Sequence, residues 1–287
     1  MGENQYNDFR RQCIARLKGA GICGAESEFD WLAEELLGIT KLQRIQEPAL
    51  RISLKNAQRI EKCIKQRITG DPLQYILGKC YFLDLPFVVQ PGVLIPRYDT
   101  ERLAVEAISQ IGEKKVAVLD LCTGCGCIGL SVLRRCPNAT CTLADISEEA
   151  LSICKINAEL LALAERCQIV QSDLFISLQG QKFDYILCNP PYIKAAVIET
   201  LAPEVKDREP EIALCGGADG LDFYRAIIKA APSYLNLRGK ILFEIGYDQA
   251  EEVRSLLEIY FHDVRLIYDY GGNPRVLTGQ LSCSNTV

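Results

Sequence analysis

The 287-residue chain reads as an α/β protein with a Rossmann-like parallel sheet, preceded by a small helical domain. Three observations predict this. From about residue 115 onward, short apolar runs alternate with helical segments. The first of these runs ends in a glycine-rich turn. Residues 5–70 instead carry apolar side chains at helical spacing.

In the helical part, Phe29, Leu32, Ala33, Leu36 and Leu37 share one face, and Gly38 is the predicted stop. Ser53 is placed to cap a second helix that would bury Leu54, Ala57, Ile60, Ile64 and Ile68, and Gly70-Asp71-Pro72 would end it. The stretch Tyr81–Val89 looks like a short hairpin closed by Pro91-Gly92. This divides the chain into a helical domain over 1–78, a hairpin linker over 79–92 and a third part over 93–287. In that part Val116–Leu121 is apolar enough for a buried parallel strand, with a helix after the turn to about Arg135. Thr140–Ile146 predicts the next strand, and Ser147 caps a helix running through Leu163. Gln168–Gln171, Phe183–Cys188 and Lys240–Ile245 supply three more strands, and Val264–Tyr268 with Arg275–Thr278 forms a terminal hairpin around Gly271-Gly272-Asn273.

Composition excludes several classes. Hydrophobic residues are 48% and charged residues 24%, ordinary for a globular protein, and no apolar run is long enough to span a bilayer. The N-terminus lacks the basic start and apolar run of a secretory signal, and Tyr6 stands where a myristoylation motif has Ser or Thr. A cytoplasmic protein is expected. Fourteen cysteines fit a reducing compartment, with Cys13, Cys63, Cys154 and Cys188 acting as small apolar residues. Residues 1–90 hold 13 Lys and Arg against 11 Asp and Glu; the remainder holds 19 against 26, a net of −7. That balance argues against sustained nucleic-acid binding by the larger part. The basic segment Arg51–Arg67 is read as a solvated helix face.

The turn after the first strand, Asp120-Leu121-Cys122-Thr123-Gly124-Cys125-Gly126-Cys127-Ile128-Gly129, lies where open α/β sheets bind ligands. Gly124-x-Gly126-x-x-Gly129 formally matches a dinucleotide fingerprint, with Asp145 at a suitable distance. Asp120 argues against a pyrophosphate, because like charges repel strongly at low dielectric. It suits S-adenosylmethionine, which carries an ammonium and a sulfonium and no phosphate. Asp145, ending the second strand, is placed for both ribose hydroxyls; Asp173, ending the third, for the adenine amine, with Leu174 beside the ring. Cys122, Cys125 and Cys127 lack a distant second pair, so no metal is expected and they are read as small residues filling a tight turn.

The fourth strand runs into Asn189-Pro190-Pro191-Tyr192. Proline pairs alone mark strand exits, but this order behind a cofactor loop suits methylation of a planar amide or amine. The lone pair of such a nitrogen is delocalised. Two acceptors, the Asn189 side-chain oxygen and the Pro190 carbonyl, can grip its two hydrogens and orient it. Pro191 stiffens the loop, and Tyr192 can pack on the planar group. No strong base is required, which fits a chain whose single histidine, His262, lies in the tail.

The chain resembles the peptide chain release factor N5-glutamine methyltransferases, the HemK/PrmC group. The resemblance runs over nearly the whole chain: Gly70-Asp71-Pro72-Leu73-Gln74-Tyr75-Ile76-x-Gly78, Pro91-Gly92-Val93-Leu94-Ile95-Pro96-Arg97-Tyr98-Asp99-Thr100-Glu101, the cofactor loop, Asn189–Tyr192, Glu209-Pro210, Gly216-Gly217-Ala218-Asp219-Gly220-Leu221 and Asp269-Tyr270-Gly271. The tetrapeptide is shared with adenine and guanine amino-group methyltransferases; the Pro96-Arg97 stretch and the N-terminal domain narrow the match. The resemblance implies a seven-stranded class I S-adenosylmethionine-dependent methyltransferase domain and an N-terminal domain that recognises substrate. It implies methylation of the glutamine amide in the Gly-Gly-Gln motif of release factors. It assigns cofactor contact to Cys122–Gly126, Asp145, Leu174 and Asn189, and the glutamine to Asn189–Tyr192. Cys122 replaces a glycine usual in the family, and Tyr98 a proline. The expected partner is a release factor, met by a monomer with no membrane and no nucleic-acid substrate. The rival enzyme reading is a nucleic-acid amino methyltransferase that uses Arg51–Arg67 on RNA; a non-enzymatic reading is a cofactor-binding regulator.

Overall fold

The computed structural model describes residues 3–282; the outermost ends of the two predicted domains, residues 1–2 and 283–287, lie outside the described residues. The chain divides into two compact units, Met1–Gly78 and Lys79–Val287.

The first unit contains β1 (Glu3–Gln5), α1 (Tyr6–Gly19), α2 (Ala25–Leu37), α3 (Lys41–Gln46), β2 (Arg51–Ser53), α4 (Leu54–Ile68) and α5 (Leu73–Leu77). Strands β1 and β2 pair antiparallel, a short ladder that the polar sequence does not signal. Phe29 packs between Tyr6 and Phe9, each ring pair 6.2 Å apart, over a core that includes Leu17, Leu32, Ile60 and Ile64. Gly38 adopts the left-handed conformation that ends α2, and Ser53 Oγ accepts from Asn56 N–H at 3.3 Å to start α4. Both caps match the sequence reading. Leu54 and Ile68, expected in the core, are 48% and 38% exposed. They sit at the ends of α4, where the apolar stripe has rotated away. Arg67 is buried instead, because its guanidinium bonds both oxygens of Glu28 on α2 (2.7 and 3.1 Å).

The second unit opens with a hairpin, β3 (Lys79–Phe82) and β4 (Leu85–Val88). It turns through Leu83 and Asp84, both at positive φ. After it come α6 (Glu101–Ile111), β5 (Ala117–Leu121), α7 (Cys127–Arg135), β6 (Thr140–Asp145), α8 (Glu148–Leu160), β7 (Cys167–Gln171) and β8 (Phe183–Cys188). Then follow α9 (Ala195–Ile198), α10 (Pro203–Lys206), α11 (Asp222–Ala230), β9 (Leu235–Glu244), α12 (Ala250–Leu257), β10 (Phe261–Tyr268) and β11 (Pro274–Leu281). Seven strands form one sheet in the order β10-β11-β9-β8-β5-β6-β7. The five strands from β5 to β9 run parallel, and β11 and β10 add an antiparallel edge. Tyr224 and Ile227 of α11 and Val253 and Leu257 of α12 share a buried cluster with Leu119, Ile186, Phe243 and Leu277 of the sheet.

The hairpin groups with this unit. Asn157 on α8 accepts from Val88 N–H at 2.7 Å and donates to Val88 O at 3.1 Å, and its Nδ2 also reaches Cys125 O at 2.9 Å. One buried amide thus ties hairpin, helix and the turn after β5 together, with both its N–H groups and its oxygen engaged. Strand order reverses around β5, whose neighbours β6 and β8 come from opposite winding directions. Ligands of open α/β sheets bind beyond such a switch point. No helix among the described residues is long and apolar enough to cross a membrane.

Candidate active site

A cleft with about 1070 Å³ of empty space lies at the carboxyl ends of β5, β6 and β8. Its walls include Cys122–Cys125, Asp145, Asp173, Leu174, Asn189 and Pro191. Val93, Pro96 and Thr100 contribute from the segment after the hairpin, and Pro210, Ile212 and Phe223 from the region after β8. The turn between β5 and α7 is shaped by conformation. Gly124 and Gly126 have φ of 56° and 85°, and Cys122, with φ 58°, adopts the same left-handed region without being glycine. Leu174, with φ 47°, is a second left-handed residue on the wall. A Cβ on Gly129 would lie 2.4 Å from Leu143 and 2.9 Å from Cys141, so the helix start can pack on the sheet only with glycine there.

Asp120 faces away from the cleft. It is fully buried under the turn, where its Oδ2 accepts from Thr123 Oγ1 at 2.6 Å and Gly129 N–H at 2.8 Å. Burial pushes its carboxyl up to about 7, against the pull of those two donors. The structure therefore gives Asp120 the task of holding the turn in shape. Asp145 does line the cleft: its Oδ2 accepts from Gly124 N–H at 2.8 Å and its Oδ1 from Ser147 N–H at 3.0 Å. Each oxygen keeps a lone pair for a ligand hydroxyl. Burial raises its carboxyl above the usual range. Asp173 is exposed on the rim, beside the apolar surfaces of Ile146 and Leu174. Cys125 and Cys127 are buried and Cys122 partly so; among the described residues no group of His, Cys, Asp and Glu is arranged to hold a metal.

Of the tetrapeptide, Asn189 and Pro191 line the cleft, while Pro190 and Tyr192 do not. Asn189 Nδ2 donates to Thr100 Oγ1 at 3.4 Å, which leaves the side-chain oxygen as the free acceptor. Tyr192 turns its ring into the neighbouring core and donates its hydroxyl to Glu244 Oε1 at 3.2 Å. Burial, together with the adjacent Glu244, holds that phenol well above the usual range. The backbone of the tetrapeptide is braced from behind. Gln249 Nε2 donates to Tyr192 O at 3.0 Å and to Gly220 O at 3.2 Å. A Cβ on Gly216 would lie 2.7 Å from Tyr192 Cα and 2.8 Å from Pro191 O; one on Gly220 would lie 2.4 Å from Tyr192 O. The two glycines let the loop before α11 close onto the tetrapeptide. Glu209 ties this same region to the segment after the hairpin, accepting from Ile95 N–H at 3.3 Å and pairing with Arg97.

Thr100, Glu244 and Gln249 were given no role by sequence reasoning. Glu244 had a signal, an acid closing the apolar run Ile241-Leu242-Phe243. Thr100 and Gln249 lie far from the tetrapeptide in sequence and carry no comparable mark.

Two family models match the chain: the PrmC N-terminal domain over residues 8–78 and the methyltransferase small domain over 98–204. The release factor glutamine methyltransferase of Geobacter sulfurreducens is 38% identical over 268 residues, 91% of each chain. The chain belongs to the release factor glutamine methyltransferase family. Other members of that family include the Clostridium botulinum protein, 37% identical over 91% of this chain and 94% of its own, and the Clostridium acetobutylicum protein, 46% identical over 68% and 70%. Solved structures support the fold. A methyltransferase from Pyrococcus furiosus superposes with a TM-score of 0.53 at 16% identity, covering 69% of this chain and 89% of its own. The 16S rRNA N2 G1207 methyltransferase of T. thermophilus, solved with AdoMet and guanosine, gives 0.51 at 19%, covering 71% and 50%. The second unit is thus a class I methyltransferase domain.

Proposed function

We propose that the chain transfers a methyl group from S-adenosylmethionine to the side-chain amide nitrogen of the glutamine in the Gly-Gly-Gln motif of peptide chain release factors. The observation that carries this reading is the orientation of Asn189, whose NH₂ is taken by Thr100 while its oxygen remains free at the cleft. The Pro190 carbonyl takes no protein donor among the described residues. The two N–H groups of a primary amide need two acceptors, which this reading assigns to the Asn189 oxygen at the cleft and the Pro190 carbonyl next to it in the chain, and relatives with 35–46% identity carry the name release factor glutamine methyltransferase.

The cleft suits the cofactor. Asp145 offers lone pairs to a ribose, Ile146 and Leu174 give an apolar seat for a base, and Gly124 at φ 56° lets the backbone approach closely. When bound, S-adenosylmethionine supplies an electrophilic methyl group on a positively charged sulfur. Asn189 and Pro190 orient the substrate nitrogen toward it. Gln249, Gly216 and Gly220 keep their backbone in place, so little ordering is left to the reacting complex. The amide nitrogen becomes acidic once methylated and yields its proton to water, so the site needs no histidine; His262 is exposed on β10.

Within this proposal the first unit recognises the release factor, and the enzyme is a cytoplasmic monomer. The test is methyl transfer from radiolabelled cofactor to purified release factors, rRNA, tRNA and DNA. Label is expected in the release factor glutamine. Label appearing only in nucleic acid would overturn the assignment.

A further inference from the structure

Two tyrosines stand in solvent at the edge of the cleft, and neither the cofactor walls nor the tetrapeptide uses them. Tyr98 lies between Pro96 and Thr100, which both line the cleft, yet 66% of its own surface is exposed. Tyr270, 65% exposed, sits in the turn that joins β10 to β11. Val276 of β11 pairs with Glu244 at the carboxyl end of β9, so this turn stands at the same edge of the sheet as the cleft. The two rings meet there, with centroids 5.8 Å apart and planes tilted by 38°. The Arg102 guanidinium lies 5.2 Å from the centre of the Tyr270 ring, and its Nε donates to Tyr268 O at 3.1 Å.

The segments that carry the rings are clamped together. Nη2 of the buried Arg275 reaches Asp99 at 3.3 Å and Asp269 at 3.2 Å, the residues that follow Tyr98 and precede Tyr270. Asp269 Oδ1 also accepts from Gly271 and Asn273 N–H, each at 2.9 Å, which shapes the turn. Both backbones are therefore in place before a partner arrives, and contact costs little ordering. Keeping adjoining aromatic surface in water is unfavourable in itself, and such patches mark interaction sites. Tyr and Arg are the side chains that most often dominate binding energy there.

We propose that Tyr98 and Tyr270, flanked by Arg102, form the docking surface for the release-factor peptide beside the target glutamine. This rests on the proposed function. Thr100, two residues from Tyr98, accepts from Asn189, to which that function assigns the glutamine amide. Two residues span at most about 7 Å, so the rings meet the peptide within a few residues of the glutamine. The neighbouring glycines suit such a surface: without a Cβ, their flat peptide groups can lie close against a ring. A nucleic-acid base could also stack on these rings, and charge decides between the two. Residues 91–287 hold 19 Lys and Arg against 26 Asp and Glu, and the carboxylates of Asp99 and Asp269 flank the rings. A phosphate backbone is disfavoured there, and an uncharged glycine peptide is not.

The test is steady-state methyl transfer to a purified release factor by wild type, Tyr98→Ala, Tyr270→Ala, Tyr98→Phe, Tyr270→Phe and Leu237→Ala, with cofactor affinity by calorimetry. Leu237 is the comparison, 71% exposed near the start of β9 and so at the opposite end of the sheet. Each tyrosine-to-alanine change should raise KM for the release factor about tenfold, lower kcat by less than about threefold and leave cofactor affinity unchanged. The phenylalanine variants keep the ring faces and should stay within about threefold of wild-type KM, as should Leu237→Ala. A KM within about twofold of wild type in both alanine variants would overturn the inference. So would an equal rise in KM with Leu237→Ala, or phenylalanine variants as impaired as their alanine counterparts. Single-stranded RNA is added as a competitor; inhibition of wild type that Tyr98→Ala relieves would give the rings to nucleic acid and overturn the inference too. Wild type that labels nucleic acid and no release factor would sink the proposed function, and this inference with it. An unchanged KM in variants that still label the release factor refutes this inference alone.

Discussion

Replacing Gly216 by alanine tests whether the loop before α11 holds the tetrapeptide in register. The added methyl would lie 2.7 Å from Tyr192 Cα, 2.8 Å from Pro191 O and 2.9 Å from Gly220 O. Ordinary contacts of this kind sit at about 3.5–4.0 Å, so one backbone must retreat by roughly 1 Å. None of the three atoms is the end of a flexible side chain. Overpacking of this sort costs about 1–3 kcal/mol, and a displacement of about 1 Å at a reacting group lowers its rate about 100-fold. Gly216→Ala should therefore lose about 1–3 kcal/mol in urea denaturation and about 100-fold in kcat. Gly19→Ala is the comparison: a Cβ there meets nothing within 4 Å, and it should leave kcat unchanged. A folded Gly216→Ala enzyme with kcat within about threefold of wild type would refute the bracing argument.

Three further outcomes follow from the same geometry. Arg67→Ala leaves the half-buried Glu28 without its bidentate partner, and should destabilise the first unit by about 1–3 kcal/mol in denaturant unfolding monitored at Trp31. Asp145→Ala removes the acceptor of Gly124 and Ser147 N–H groups and should weaken cofactor binding about 10–100-fold by calorimetry. Asp120 carries a carboxyl raised to about 7, so the folded state keeps a proton that the unfolded chain releases from about pH 4 upward. Its contribution is complete below about pH 4 and fades as pH rises through 7. The stability of wild type relative to Asp120→Asn should accordingly decline between pH 4 and pH 8; a constant difference would contradict the assignment.

Much of the architecture was legible because burial leaves a periodic mark. Phe183–Cys188 is a continuous apolar run and forms β8 over that span, and Ser53 and Gly38 announce their helix ends by side-chain chemistry. Strand β9 begins at Leu235, five residues before the predicted start, because Asn236, Arg238 and Gly239 break the apolar run while the register with β8 shifts. At the site, the tetrapeptide and the glycine turn could be read because their residue types are unusual in that order. The direction Asp120 faces is not written in the sequence: an acid at a strand end is equally suited to a ligand or to the turn's own donors, and the path of the turn brings Thr123 and Gly129 to it. Thr100, Gln249 and Glu244 meet the tetrapeptide only after the sheet is assembled, across separations of 89, 57 and 52 residues. Nothing local in the sequence records such meetings. Arg67 likewise looked like part of a solvated basic face, and becomes interior through its pairing with Glu28 on another helix.

The most direct measurement is methyl transfer to a release factor by Asn189→Ala, with cofactor affinity determined in parallel. Loss of the oxygen that accepts the amide hydrogen should lower kcat by at least about 100-fold while cofactor still binds measurably. Turnover by this variant close to that of wild type would contradict the account.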